Sequence, residues 1–294
     1  MTYDTDRPWL GGLLITASAA AFSLAGFFTR LIALDAWTLL FWRGVYGGLF
    51  IAGDIVWVHG RETVAVIRGI GRAGLLVAAC STLATVCFIN ALQRTSVADV
   101  MVINATTPFF AAAIAWLGTG ERESRVTLIA SVAALLGVVL TFDGALPAGR
   151  LFGNALALVM TILISAMMVI IRARRDTQML PASCLSAFAL AVLVAPLANP
   201  GAGFGPNFIY LVLFGMAQFG LGLLLLTLGT RLISATRSAL IGSLETPLAP
   251  LWVWLAFGEI PSLMTCVGGA VVMGAVAADM LLTPRRNGLA NASG

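Results

Sequence analysis

The sequence predicts an all-α membrane protein with ten transmembrane helices, arranged as two inverted five-helix repeats around a central cavity. Composition, the distribution of arginine and an internal repeat support this fold class. Of the 294 residues, 60% are hydrophobic and 10% are charged, and the mean hydropathy is +0.98. Soluble domains carry about 25% charged residues, and a chain of this size cannot hide so much apolar surface from water. Lipid is therefore the expected solvent for most of the chain.

Ten apolar runs match the length of about 20 residues that a helix needs to cross a bilayer. They lie near residues 9–29, 36–58, 73–92, 97–118, 126–142, 150–171, 181–198, 207–229, 236–257 and 262–282. The runs 126–142 and 181–198 are the shortest, so their ends are the least sharply defined.

The positions of the arginines predict how these helices are oriented. If the N-terminus is cytoplasmic, the cytoplasmic segments hold 13 arginines and the segments on the opposite side hold three. Such an excess across short loops is the positive-inside signal, and it places both chain ends in the cytoplasm. The net charge of +4 therefore reflects membrane topology, and we expect no nucleic-acid partner.

Two stretches of the chain share one pattern. Ser96 to Glu121 contains a Thr-Pro pair and ends in Gly-Glu, and Ser234 to Glu259 does the same 138 or 139 residues later. The offset shifts by one between landmarks, which predicts a small insertion. Each half, residues 1–143 and residues 144–294, then holds five helices, and because five is odd the second half enters the membrane from the opposite side. Inverted repeats of this kind are common in secondary transporters, with the substrate site near the midplane.

This paired pattern resembles the drug/metabolite transporter superfamily, and more narrowly its ten-helix exporters built from two EamA-type repeats. The features that carry the resemblance are a small-residue start, a mid-span proline, a Gly-Glu end and a following helix with glycine, each present twice. The closest likeness is to bacterial exporters of aromatic and other amino acids. It implies a secondary transporter of the bacterial inner membrane that exports amino acids or amphipathic drugs by alternating access, without a cofactor.

Polar residues inside the predicted spans are the candidates for substrate binding. Glu245 lies about ten residues into its span, where a charge costs about 3 kcal/mol unless it faces a cavity or a partner. It is expected to bind a substrate ammonium, to carry a proton, or to bond the backbone around Pro247. Arg43, near the outer end of the second span, is expected to hold a substrate carboxylate, to pair with Glu245, or to snorkel to the interface. The remaining predicted substrate contacts are Asn104, Gln218, Thr107, Ser243 and Trp42.

Two prolines and two glycines carry predictions about helix geometry. Pro108 and Pro247 are predicted helix breaks, because proline removes a backbone hydrogen bond. Matched breaks in the two halves point to a binding site, and the alternative is that they only bend packing helices. Gly44 and Gly48, four residues apart, are predicted close-packing positions of the second span.

Other functional classes find less support in the sequence. The single histidine, His59, lies at a predicted helix end, and no HExxH, GxSxG or phosphate-binding loop motif occurs. We therefore expect no enzymatic activity, no metal site and no ATP bound by this chain. The alternatives are an intramembrane enzyme and a receptor or assembly protein that transports nothing, and an inverted repeat has little purpose in the latter.

Overall fold

The computed structural model describes residues 8–32, 34–92, 94–95, 97–141, 151–205, 207–258 and 263–282. Every regular element in these ranges is a helix. Nine helical segments among the described residues are long and apolar enough to cross a membrane, and Arg125–Leu140 is a shorter apolar helix. These ten segments coincide with the ten apolar runs, so the prediction of an all-α multi-pass membrane protein is confirmed.

The helices divide evenly between the two halves of the chain. The first half contains α1 (Pro8–Ser23), α2 (Ala25–Leu31), α3 (Ala36–His59), α4 (Thr63–Arg68), α5 (Gly71–Leu92), α6 (Val97–Asn104), α7 (Thr107–Thr119) and α8 (Arg125–Thr141). The second half contains α9 (Leu151–Ala173), α10 (Leu180–Val194), α11 (Phe208–Leu213), α12 (Leu221–Leu232), α13 (Ala235–Gly242), α14 (Glu245–Phe257) and α15 (Leu263–Leu282). A π-helix, Phe214–Gly220, joins α11 to α12.

The helices of one half pack like the corresponding helices of the other half. In this correspondence α1 matches α9, α3 matches α10, α5 matches α12 with the π-helix, and α8 matches α15. The contact of α3 with α10 and the contact of α8 with α15 therefore each join two corresponding helices. The contact of α5 with α9 corresponds to that of α12 with α1, and the contact of α10 with α5 corresponds to that of α3 with the π-helix. This exchange supports two equivalent five-helix units. The predicted boundary between residues 143 and 144 lies outside the described residues, and that division stays a prediction.

Glycines bring α3 unusually close to its neighbours. A Cβ atom added to Gly44 would lie 2.7 Å from the carbonyl oxygen of Ala187 on α10. A Cβ atom added to Gly48 would lie 2.9 Å from the ring of Phe188 on the same helix. Small residues allow such approach between membrane helices, where van der Waals packing drives association. The prediction that Gly44 and Gly48 are close-packing positions is confirmed.

Two of the spans are broken in the same way. In each, an eight-residue helix, α6 or α13, precedes a 13-residue helix, α7 or α14, across a two-residue break. The backbone turns equivalently in both breaks, since Thr106 N donates to Ile103 O at 3.0 Å and Leu244 N donates to Ile241 O at 3.1 Å. Both long half-helices also end at a glycine in the left-handed region, Gly120 and Gly258, each with φ of 71°.

The offset between the two broken spans is constant, which corrects one expectation. All helix boundaries in these spans differ by 138 residues, so the predicted insertion is absent from them. Only the position of the proline within the helix differs, since Pro108 is the second residue of α7 and Pro247 is the third residue of α14. Both prolines therefore lie in a first turn, where a missing N–H group costs no helical hydrogen bond. Pro108 and Pro247 therefore follow the breaks by two and three residues, and α14 also contains Pro250, which was not predicted as a break.

Candidate functional site

A cavity of about 210 Å³ lies between the two halves at the level of the two breaks. It is bounded by α1, α3, α5, α6 and α7 from the first half and by α9, the π-helix, α12, α13 and α14 from the second. Five of the predicted substrate contacts line it together: Glu245, Asn104, Arg43, Thr107 and Ser243. The sequence placed these residues on three separate spans, and the fold brings them to one cavity.

Glu245 is the acidic member of this cavity. It is the first residue of α14, directly after the break, so its carboxylate lies at a helix N-terminus. The free N–H groups and the dipole of that helix end favour a negative charge. No residue in the described ranges donates a hydrogen bond to this carboxylate, which faces the cavity. Its hydrogen-bonding capacity is therefore open to a ligand.

Arg43 is the basic member of the cavity, on the wall formed by α3. Its guanidinium carbon lies 4.4 Å from the ring centre of Phe219 and 5.4 Å from that of Phe214. Cation–π attraction to these rings holds the side chain against the π-helix. The Nε atom of Arg43 is buried without a hydrogen-bond partner. Arg43 and Glu245 interact electrostatically, yet no ion pair joins them within the described structure.

The break between α6 and α7 positions Asn104 and Thr107. Pro108 has no N–H group, so the Asn104 carbonyl loses the donor that a continuous helix would provide. The Thr107 hydroxyl replaces this donor and lies 3.3 Å from Asn104 Oδ1 as well. Thr107 thereby restrains the Asn104 amide at the cavity wall. In the matching break, Ser243 Oγ donates a hydrogen bond to Leu240 O at 2.6 Å. The lone pairs of Ser243 Oγ are then available to accept a hydrogen bond.

Four of the predicted site residues lie outside the cavity lining. Gln218 is fully buried on the π-helix, where its Nε2 donates to Phe22 O at 3.2 Å. Trp42 stacks on Tyr46 with ring centres 5.2 Å apart, and its Nε1 donates to Pro200 O at 3.3 Å. Both side chains thus contact neighbouring segments, and Gln218 Oε1 is buried without a hydrogen-bond partner. Their role in substrate binding stays a prediction. Pro108 and Pro247 shape the breaks behind the cavity wall.

The apolar part of the lining includes residues that were not among the predicted substrate contacts. These are mainly sulfur-containing and aromatic side chains: Met101, Met160, Met167, Met168, Phe22, Phe88 and Phe219. Methionine is flexible and polarisable, so it adapts to ligands of different shape. No sequence signal identifies these methionines, because a helical period does not distinguish a side chain facing a cavity from one facing lipid.

The cavity is closed on one side, which we call the arginine-rich side and define by residues 120–125, 172–178 and 231–237. The half-helices α7 and α13 pack against each other there. The other half-helices of the same two spans have different partners, since α6 packs against α9, and α14 packs against α1, α2 and α15. Beneath the α7–α13 contact, Arg237 Nε lies 2.7 Å from Oδ2 of the fully buried Asp279. Thr127 Oγ1 donates to the other carboxylate oxygen of Asp279 at 2.6 Å.

Further polar contacts lie on the arginine-rich side. Arg172 Nη2 lies 3.8 Å from Glu121 Oε1, and this contact joins the two halves. Arg172 Nη1 donates to Arg231 O at 2.9 Å, and Arg231 Nε donates to Arg175 O at 2.8 Å. These last two contacts link α9 and the segment after it to α12 within the second half. Among the residues that the structure describes, no group of three or more His, Cys, Asp or Glu side chains could hold a metal ion.

Fold and site together define a polytopic membrane protein with a partly charged cavity between two helical units. Residues 9–143 match the EamA-like transporter family, and this similarity indicates a membrane transporter of small molecules. A solved crystal structure of a protein has the same fold, with a TM-score of 0.81, 17% sequence identity, and coverage of 92% of this chain and 98% of that chain. No curated protein matches the sequence.

Proposed function

We propose that this protein exports amino acids, including aromatic ones, across a bacterial inner membrane. The observation that carries the proposal is that Arg43 and Glu245 face one cavity without forming an ion pair. An amino acid carries a carboxylate and an ammonium group on one carbon. The planar guanidinium of Arg43 suits the carboxylate, and the Glu245 carboxylate suits the ammonium group.

The rest of the cavity suits an apolar side chain. Phe22, Phe88 and Phe219 offer rings for stacking, and the methionines adapt to the outline of the ligand. The volume of about 210 Å³ is smaller than the roughly 300–1,000 Å³ of pockets for drug-sized ligands. The cavity therefore favours a metabolite of amino-acid size over a larger amphipathic drug.

Alternating access between two symmetry-related states would carry the ligand across the membrane. In this conformation α7 packs against α13 on the arginine-rich side, which the positive-inside rule assigns to the cytoplasm. Exchanging the roles of the two repeats would separate these half-helices and bring α6 and α14 together. Such rocking of inverted repeats around a fixed site is the expected mechanism of secondary transporters. The breaks allow each half-helix to move without unwinding the other.

Transport by the purified protein in lipid vesicles tests this function. We expect competition by a panel of amino acids for flux of a labelled one, and flux that falls in Glu245→Gln and Asn104→Ala while both variants remain folded. Glu62→Gln is the matched control, because Glu62 is exposed in the short turn after α3 and is not part of the cavity lining. Normal flux in both cavity variants would remove these residues from the site. Repeating the assay with a pH gradient separates proton exchange from facilitated diffusion.

A further inference from the structure

One wall of the cavity depends on a glycine that does not itself line it. Phe22, a half-buried residue of α1, belongs to the cavity lining. A Cβ atom added to Gly222 on α12 would lie 2.9 Å from Cε1 of the Phe22 ring and 3.1 Å from both Cδ1 and Cζ. Gly222 is buried and lies behind the lining. One edge of the ring therefore occupies the space that a side chain at position 222 would fill.

Hydrogen bonds fix the backbone that carries this ring. One turn before Phe22, Ser18 Oγ donates to Gly222 O at 2.7 Å in a buried contact. The Phe22 carbonyl lies in the last turn of α1, where a helix provides no donor of its own, and Gln218 Nε2 donates to it at 3.2 Å. Because α1 is bonded to α12 and to the π-helix at these two points, the ring is the part of Phe22 that can move most readily.

We propose that Gly222 is a positioning residue that sets the size of the ligand side chain that the cavity accepts, and that it acts through the ring of Phe22. Any side chain at position 222 would push the ring away from α12, and the free space beside the ring is the cavity. The cavity would then lose volume in its apolar part. The inference rests on the proposed function for the kind of ligand, because an amino acid would place its side chain there.

The size of the effect follows from the distances and from the small volume of the cavity. Carbon atoms in contact lie about 3.5–4.0 Å apart, so the ring would have to retreat by about 0.5–1 Å from an added methyl group. In a cavity of about 210 Å³, such a retreat affects the largest ligands first. One methylene group more or less in an apolar pocket changes kcat/KM by about 10-fold to 200-fold. Alanine also suits the helical backbone of α12, so the contact with the ring decides the outcome.

Transport of amino acids of increasing side-chain size tests the proposal. Alanine, valine, phenylalanine and tryptophan are each supplied as the labelled substrate of the purified protein in lipid vesicles. In Gly222→Ala, kcat/KM for tryptophan relative to alanine should fall about tenfold. In Phe22→Ala, the same ratio should rise. In the double variant, Gly222→Ala should change the ratio no further than Phe22→Ala alone does, because the ring through which it acts is gone.

Gly11→Ala is the matched control for helix packing. A Cβ atom added to Gly11 on α1 would lie 2.8 Å from the side chains of both Leu232 and Ile233, so it tightens the same α1–α12 contact at its other end. None of these three residues lines the cavity. Gly11→Ala should therefore lower the midpoint of thermal unfolding and leave the ratio of tryptophan to alanine at the parent value.

Two results of this assay would overturn the proposal. One is a Gly222→Ala variant that transports with the parent ratio, and the other is a Gly222→Ala effect that persists in the Phe22→Ala background or appears equally in Gly11→Ala. If Gly222→Ala does not fold, Phe22→Leu and Phe22→Ala form a graded series in its place, and an unchanged ratio in both would also overturn it.

Failure of the proposed function gives a different result, in which the parent protein transports none of the four amino acids. Ligand-free experimental structures of the parent protein and of Gly222→Ala then decide the present inference. We expect the Phe22 ring to move away from α12 and the cavity to be smaller in the variant. A ring that keeps its place while α12 shifts away from α1 would overturn the proposal.

Discussion

Thr107 and Glu245 occupy equivalent positions in the two halves of the molecule. Each is the first residue of a 13-residue half-helix after a two-residue break, and both line the central cavity. The first half therefore contributes a hydroxyl group, and the second half contributes a carboxylate. This asymmetry assigns the cationic end of the proposed ligand to the second half, because an amino acid needs a single anionic partner for its ammonium group.

The hydroxyl of Thr107 predicts a measurable effect on affinity. Thr107→Val removes the contact that restrains Asn104, so KM for the transported amino acid should rise about twofold to tenfold, as expected for one hydrogen bond. Thr106→Val is the matched control, because the Thr106 hydroxyl also bonds a backbone carbonyl but lies outside the cavity lining. Equal KM changes in the two variants would show that a general loosening of the break, and not Asn104, controls affinity.

The positions of these breaks show which part of the helix geometry can be predicted from the sequence. Pro108 and Pro247 lie in the two interrupted spans, each within three residues after the break. The sequence did not locate the breaks at residues 105–106 and 243–244, since a proline in a first turn fits a helix that has already begun. The predicted insertion was wrong for the same reason, because the offset between the repeats was taken from the prolines and not from the helix ends.

Close packing of α3 predicts a difference between two glycines of that helix. Gly44→Ala should lower the midpoint of thermal unfolding in detergent, because its Cβ would lie 2.7 Å from a backbone oxygen of α10 and overpacking costs about 1–3 kcal/mol. Gly53→Ala should leave the midpoint unchanged or raise it, since nothing lies within 4 Å of that position and alanine favours the helix. Equal behaviour of the two variants would contradict the packing of α3 against α10.

The ion pair beneath the closure predicts a loss of stability. Arg237→Met takes the arginine away from the fully buried Asp279, and breaking such a pair costs about 3–5 kcal/mol. Thermal unfolding should show a clear decrease in the midpoint, whereas Arg174→Met, at an exposed position, should show none. Adding Asp279→Asn to Arg237→Met should recover part of the loss because the buried charge is removed. An unchanged midpoint in Arg237→Met would mean that this pair does not secure the closure.

The closure itself could not be foreseen from the sequence. Arg237 and Asp279 are 42 residues apart and lie on different helices, so only the tertiary structure brings them together. The positive-inside rule explains the number of arginines on this side and not their partners, and its assignment of this side to the cytoplasm stays a prediction. Gln218 and Trp42 lie outside the cavity lining for a related reason, because a polar or aromatic residue within a span faces a neighbouring helix as readily as a cavity.

Binding of three related molecules tests most directly whether Arg43 and Glu245 recognise opposite ends of one ligand. Phenylalanine carries both charges, phenethylamine lacks the carboxylate, and phenylpropionate lacks the ammonium group. The parent protein should bind phenylalanine at least tenfold more tightly than either analogue, as expected for charge-assisted hydrogen bonds of about 1.5–3 kcal/mol. Glu245→Gln should lose the preference over phenylpropionate only, and Arg43→Gln should lose the preference over phenethylamine only. Equal affinity of the parent protein for all three molecules would contradict this account.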